Sequence, residues 1–209
     1  YVPASELARE ACRIEIDVLG KPIGKQDQYI VAFGGFQFIV FHEDGRVTVA
    51  PMACRSETTR TLVSRLQLFY TGVQRASASV LEEAKQRMRA VPATRQALDT
   101  TVALAHDMRS EVADNRLSTI GPELHRAWKL KKEMASTVTN GHLDDLYTLA
   151  CKAGAIGGKV AGAGGGGCLL LYTPKRAQAS VRRAMLQRGL VEIAFSLEPS
   201  GSRIIFAES

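Results

Sequence analysis

The 209-residue chain is 45% apolar, 23% charged and 6% aromatic, with 27 Lys and Arg against 21 Asp and Glu and a net charge of +6. So much apolar content with so modest a charge excludes intrinsic disorder, and no apolar run reaches the roughly 18 residues of a membrane span. The charge suits a polyanion or a phosphorylated substrate and equally an ordinary basic protein, so it selects neither fold nor reaction.

In chain order, Ser5 to Leu19 reads as a helix whose apolar face is Leu7, Ala11, Ile14 and Val18, ended by Gly20, Lys21 and Pro22. Glu15 lies beside that stripe, an awkward place for a carboxylate unless something binds it. A loop carrying Gly24 and Asp27 follows. Phe36 to Phe41 and Val47 to Pro51 then read as strands joined by Glu43-Asp44-Gly45 turn chemistry, and Leu66 to Tyr70 as a third. Four helices are predicted next: Ser79 to Val91, stopped by Pro92; a second through Leu98, Val102, Ala105, Met108 and Val112; a third through Leu117, Ile120, Leu124 and Trp128; and a fourth through Leu143, Leu146, Ala150 and Ala153. A glycine-rich loop leads into the apolar strand Cys168 to Tyr172. A basic helix, Arg176 to Arg188, closes at Gly189, and strands are expected at Val191 to Phe195 and Arg203 to Ala207. Helices mixed with mostly non-alternating strands indicate an α/β or α+β sheet covered on one side. Cys12, Cys54, Cys151 and Cys168 have neither C-x-x-C nor zinc spacing and read as reduced thiols of a cytoplasmic protein.

Two constellations carry chemistry. Residues 157–168, GGKVAGAGGGGC, concentrate glycine outside any collagen-like period. Glycine permits close backbone approach, so successive N–H groups can converge on phosphate oxygens; the alternative is a tight turn under a strand. Gly162-x-Gly164-x-x-Gly167 formally fits the dinucleotide fingerprint, but the order helix, loop, strand is the reverse of that motif, and no Gly-Lys-Ser/Thr makes it a Walker loop. The second constellation is Gly24-Lys25-Gln26-Asp27-Gln28-Tyr29, with Gly34-Gly35 beyond. There the flanking donors could hold Asp27 ionised and aimed at a hydroxyl proton, or Asp27 could be a turn residue. Glu15 and Asp27 together suit either a general base with a metal ligand or a glycosidase pair, and spacing does not choose.

The phrases GKQDQYIVAFGGF, FYTGVQRAS and GGKVAGAGGGGCLL resemble, in that order, the GHMP small-molecule kinases, and among them the D-glycero-D-manno-heptose 7-phosphate kinases. The resemblance implies an α+β GHMP kinase fold. Residues 1–54 would be the remainder of an N-terminal ribosomal-S5-like domain, and 55–209 a ferredoxin-like C-terminal α/β domain with extra helices. It implies ATP and Mg²⁺, with Glu15 as metal ligand and Asp27 as catalytic base or orienter. Gly24, Asp27, Gly35 and Arg75 would contact the sugar phosphate, and Gly162, Ala163, Gly164, Gly165 and Gly166 the nucleotide phosphates. The implied reaction is phosphoryl transfer from ATP to the anomeric hydroxyl of the heptose 7-phosphate, giving the 1,7-bisphosphate. Lys25, Arg75, Lys131, Lys132 and Arg203 are candidates for a cationic clamp.

Fucose or galactose as acceptor, and a non-catalytic sugar sensor of the same fold, stay open as alternatives, and so does a homodimer. No membrane partner is expected. Nor is nucleic acid, because the basic helix with Lys175, Arg176, Arg182, Arg183 and Arg188 lacks stacking aromatics. The family's first two motifs, a strand segment and the Pro-x-x-x-Gly-Leu-Gly-Ser-Ser phosphate loop, have no counterpart here. With Tyr1 as first residue, the expectation is a chain that begins after its own phosphate-binding helix and that by itself binds MgATP weakly and catalyses nothing.

Overall fold

The computed structural model describes residues 2–73 and 77–203, so Arg75 and most of the strand expected over 203–207 lie outside the described residues. The chain divides into two compact units. The second begins at Cys54, and residues 196–203 return to the first: Gly35 N–H donates to the Glu198 carbonyl at 2.7 Å and Ser202 Oγ to that of Val31 at 3.1 Å.

In the first unit, helix α1 (Ala4–Cys12) widens into a π-helix over Arg13–Val18, and α2 (Gln26–Phe33) packs against α1. A hairpin of β1 (Gln37–Phe41) and β2 (Val47–Pro51) pairs Gln37 with Pro51 and Phe41 with Val47. The buried face of α1 is not the expected one. Ala8 and Cys12 join Tyr29 and Ala32 in the core, with Ala4 and Ile16 against them, while Leu7, Ile14, Val18 and Leu19 are 39, 42, 61 and 59% exposed. Small side chains let two helices approach closely. The π-helix then shifts the phase, so the spacing that collected Leu7, Ile14 and Val18 does not mark the inward face.

In the second unit, β3 (Leu66–Tyr70), β4 (Gly157–Val160), β5 (Cys168–Tyr172) and β6 (Val191–Ile193) form an antiparallel sheet in the order β4-β5-β3-β6. Helix α3 (Ser56–Ser64) precedes β3. Helices α4 (Ser77–Ala90), α5 (Pro92–Ala113), α6 (Ile120–Met134) and α7 (Gly141–Lys152) separate β3 from β4, and α8 (Lys175–Leu186) links β5 to β6. That is the split βαβ topology of ferredoxin-like folds with its first crossover enlarged to four helices. Phe69, Leu169, Leu171 and Val160 bury one sheet face against Trp128, Leu143, Leu146, Val181 and Met185.

Helix α3 is absent from the sequence expectation because its buried face is only Thr58 and Leu62. Strand β4 falls within the stretch expected as a glycine-rich loop. Glycine is a poor strand former, and β4 exists because it pairs with β5 and because Gly157 leaves room for α6, where a Cβ would lie 1.9 Å from the Gly121 carbonyl oxygen. Among the described residues no helix is long and apolar enough to cross a membrane, and the four cysteines form no disulfide.

Candidate functional site

In the first unit the carboxylates come from the π-helix and from α2. A π-turn lengthens the local ladder: Leu19 N–H reaches the Ile14 carbonyl at 2.9 Å and Lys21 N–H that of Glu15 at 3.0 Å. Such widened turns re-aim side chains and are frequent at functional sites. Glu15 accepts from Gln28 Nε2 and from Lys21 Nζ, both at 3.1 Å. These two contacts, Gln28 foremost, hold its carboxyl below the usual carboxylate range. Its side chain remains 34% exposed. A carboxylate offers about four lone-pair directions, so roughly two stay open.

Among the described residues no three His, Cys, Asp or Glu groups gather as a ready metal cage. Mg²⁺ does not require one, since it is commonly held by one or two carboxylates together with substrate phosphates and water. A single, pre-oriented and partly solvated Glu15 fits that donor set.

Asp27 sits in the first turn of α2, not in a loop, where the helix dipole favours its charge. It is exposed and receives no hydrogen bond from the described residues. The expected bracing by flanking donors is not made, because Gln28 turns to Glu15 instead. The residue after Asp27 thus ties the two carboxylate-bearing elements together. Gly24 is exposed and open, whereas the Gly35 N–H is committed to Glu198 within the protein. A cavity of about 800 Å³ lies nearby, lined by Arg9, Cys12, Lys25, Tyr29 and Arg46 among others, but neither Glu15 nor Asp27 faces it.

In the second unit the glycine-rich segment is the tip of the β4–β5 hairpin, so its order is strand, loop, strand instead of helix, loop, strand. Ala161 N–H closes the hairpin on the Cys168 carbonyl at 2.8 Å. Thr71, just after β3, donates both N–H and Oγ1 to the Gly167 carbonyl at 2.9 and 2.8 Å, and Gly167 N–H returns to Val73 at 2.8 Å. On the other side Gly165 N–H reaches the Val138 carbonyl at 2.7 Å. Beneath the loop, Lys131 Nζ donates to the Val160 carbonyl at 3.2 Å and to that of Gly162. Burial, and secondarily the charge of Lys159, push its ammonium down to about 8.

Glycine is required here for two separate reasons. A Cβ on Gly166 would lie 2.5 Å from the Val73 carbonyl oxygen, and one on Gly164 2.8 Å from that of Val138. Gly162 has open space but φ +67°. The N–H groups of Gly162, Ala163, Gly164 and Gly166 are taken by no acceptor among the described residues, with Gly162 exposed and Gly166 buried. Unspent backbone donors beside a half-buried ammonium are the kind of arrangement that can take an anion.

Of the candidate clamp cations, Lys131 serves the loop carbonyls, Lys132 pairs with Asp144 at 3.1 Å, and Lys25 lines the cavity of the first unit. Arg203 is exposed, and its charge helps lower the Glu198 carboxyl. Sequence reasoning missed Thr71, Val138 and Lys159. Only Lys159 carried a local signal, as the one cation inside the glycine run.

Residues 108–191 match the family model for the GHMP kinase C-terminal domain. The chain is 29% identical over 191 residues to the D-glycero-alpha-D-manno-heptose 7-phosphate kinase of Campylobacter jejuni, covering 90% of this chain and 55% of that protein. It is 27% identical over 208 residues to the mevalonate kinase of Thermococcus sibiricus, covering 95% and 57%. The chain therefore spans little more than half the length of these relatives. Among solved structures, a Campylobacter jejuni protein superposes with a TM-score of 0.71 at 28% identity over 96% of this chain and 56% of that one. The L. major mevalonate kinase, at 17% identity, has a TM-score of 0.72 over 96% and 60% and shows the fold alone. With the α+β fold and the glycine-loop hairpin in place, residues 108–191 match the GHMP kinase C-terminal domain, and over most of its length the chain is similar to kinases of that family.

Proposed function

We propose that the protein of which this chain forms part is an ATP-dependent sugar-phosphate kinase that phosphorylates the anomeric hydroxyl of D-glycero-D-manno-heptose 7-phosphate, in nucleotide-heptose biosynthesis in the cytoplasm. The observation that carries the phosphoryl-transfer reading is the glycine hairpin with four unspent N–H donors over Lys131. Preorganised donors at the place where charge develops need no reorganisation during reaction, the main source of rate in phosphoryl transfer. The heptose acceptor is supported by the Campylobacter relative. The similarity to an archaeal mevalonate kinase is the reason to test other acceptors beside it.

In this reading the glycine loop binds and shields the transferring phosphoryl group. Asp27, without a hydrogen-bond partner among the described residues, accepts or orients the acceptor hydroxyl proton. Glu15, aimed by Gln28 and Lys21, holds Mg²⁺, whose charge when bound neutralises the phosphate oxygens. Gly24 and Arg75 are assigned to the sugar phosphate. The first unit is read as the remainder of a ribosomal-S5-like domain.

The test is ATP turnover by the complete protein with heptose 7-phosphate, mevalonate, galactose and fucose side by side. Heptose 7-phosphate is expected to give a kcat/KM at least tenfold above the others. Preference for another acceptor would move the substrate, and absence of turnover with all four would remove the kinase reading.

A further inference from the structure

One face of the glycine loop rests on a turn that one carboxylate grips through four hydrogen bonds. Helix α6 ends at Met134, and Ser136–Val138 form one turn of 3₁₀-helix whose first turn contains no acidic residue. The carboxylate that serves it comes from α4. Glu83 accepts from Ser136 N–H at 2.7 Å, Ser136 Oγ at 2.8 Å, Thr137 N–H at 3.2 Å and Thr137 Oγ1 at 2.5 Å. Hydrogen bonds to an ionised acceptor are about twice as strong as neutral ones, and four donors converge here on one carboxylate.

The same turn meets the loop directly. The Val138 carbonyl accepts Gly165 N–H at 2.7 Å, and a Cβ on Gly164 would lie 2.8 Å from that oxygen and 3.1 Å from the Val138 Cα. Val138 is 2% exposed and part of the core, so the turn is fixed below by apolar packing and at its open end by Glu83. A displacement of the turn would have to be followed by Gly164 and Gly165, between the unspent N–H groups of Ala163 and Gly166.

We propose that Glu83 is a positioning residue for the phosphate-binding loop: by fixing the Ser136–Val138 turn it sets where the loop presents its N–H groups. Its consequence for catalysis rests on the kinase reading above, whereas its effect on loop geometry does not. Glu83 touches no substrate in this account and acts only through the turn. Its carboxyl, drawn down to about 2 chiefly by Thr137 and Ser136, is ionised throughout the neutral range.

The decisive experiment is residue-resolved amide hydrogen exchange on the complete protein, comparing wild type with Glu83→Ala and Glu83→Gln. Glu83→Ala is expected to lower Gly165 protection at least tenfold and to leave Gly167, which is held by Val73, and the β5 amides of Leu169 and Leu171 within twofold. Glu83→Gln, with one carbonyl oxygen left as acceptor, should fall between. In parallel, Glu83→Ala should lower kcat/KM for ATP at least tenfold while KM for the sugar phosphate stays within twofold. Unchanged Gly165 protection would overturn the proposal, and so would an equal loss at Gly165, Leu169 and Leu171, which reports general destabilisation. A wild-type protein without kinase turnover would defeat the proposed function and leave the exchange comparison to decide the role of Glu83.

Discussion

The glycine hairpin of the second unit and the Glu15/Asp27 corner of the first solve the problem of holding charge in opposite ways. The hairpin uses backbone: its conformation is pinned by Thr71, Val73, Val138 and Lys131, and its N–H groups without an acceptor among the described residues cannot be changed by swapping a side chain. The corner uses side chains: Glu15 is oriented by Gln28 and Lys21, and Asp27 stands exposed without a partner among the described residues. A backbone site is sensitive to added bulk and insensitive to charge. A side-chain site is the reverse, so substitutions in the two regions should fail differently.

The largest effect is expected at Asp27. Asp27→Asn keeps the shape and removes the proposed base or orienter, and kcat should fall about 10²- to 10⁴-fold with little change in thermal stability. Steady-state kinetics with a parallel melting curve checks both halves, and a stability loss matching the activity loss would erase the contrast.

Next comes Gln28→Ala. Without its strongest partner Glu15 is no longer aimed, and the Mg²⁺ concentration for half-maximal activity should rise about 10- to 100-fold, the cost usual for losing an outer partner of a metal ligand. A Mg²⁺ titration of turnover reads this directly, and an unchanged midpoint would remove Glu15 from the metal.

In the hairpin the effects should appear in folding. Gly166→Ala forces a methyl against the Val73 carbonyl and is expected to cost about 1–3 kcal/mol in urea unfolding. Gly162→Ala meets open space and bears only its left-handed backbone, about 1–2 kcal/mol, toward the lower end for a loop tip. Equal costs at the two positions would show that conformation, not close approach, governs the loop.

The smallest effect concerns pH. The folded-state carboxyl of Glu83 titrates at about 2 against 4.5 for the free group, so in that interval the unfolded chain binds more protons and stability rises with pH. The contribution of Glu83 is complete above pH 4.5 and fades as pH falls toward 2. Urea midpoints of wild type and Glu83→Gln should therefore converge as pH drops through that window. A constant gap would mean that the carboxylate charge is not what the 3₁₀ turn uses.

Much of the architecture was legible because its signals are local. The apolar residues from Leu98 to Val112 marked the existence of α5 but not its buried face, which is Thr94, Ala97, Leu104 and Val112 while Val102 is exposed. Pro92 separated α4 from α5, and the Glu43-Asp44-Gly45 turn announced the β1–β2 hairpin. Glu15 was singled out by its place beside an apolar stripe, Asp27 by its flanking donors and the glycine run by its composition, and the resemblance supplied their roles.

What only the tertiary structure decided depends on contacts between distant residues. The inward face of α1 is Ala4, Ala8 and Cys12 because α2 packs there, a choice that residue hydrophobicity ranks the other way. Strand β4 exists because β5 pairs with it and α6 needs the space at Gly157. Gln28 belongs to Glu15 across 13 positions, Lys131 to Gly162 across 31, and Glu83 to Thr137 across 54. The sequence by itself determined which chemical groups the protein has, since glycine tracts and isolated carboxylates are written in single residues. Which of those groups are held, and by what, was decided by packing, because a hydrogen bond acts at about 3 Å regardless of how far apart its partners lie in the chain.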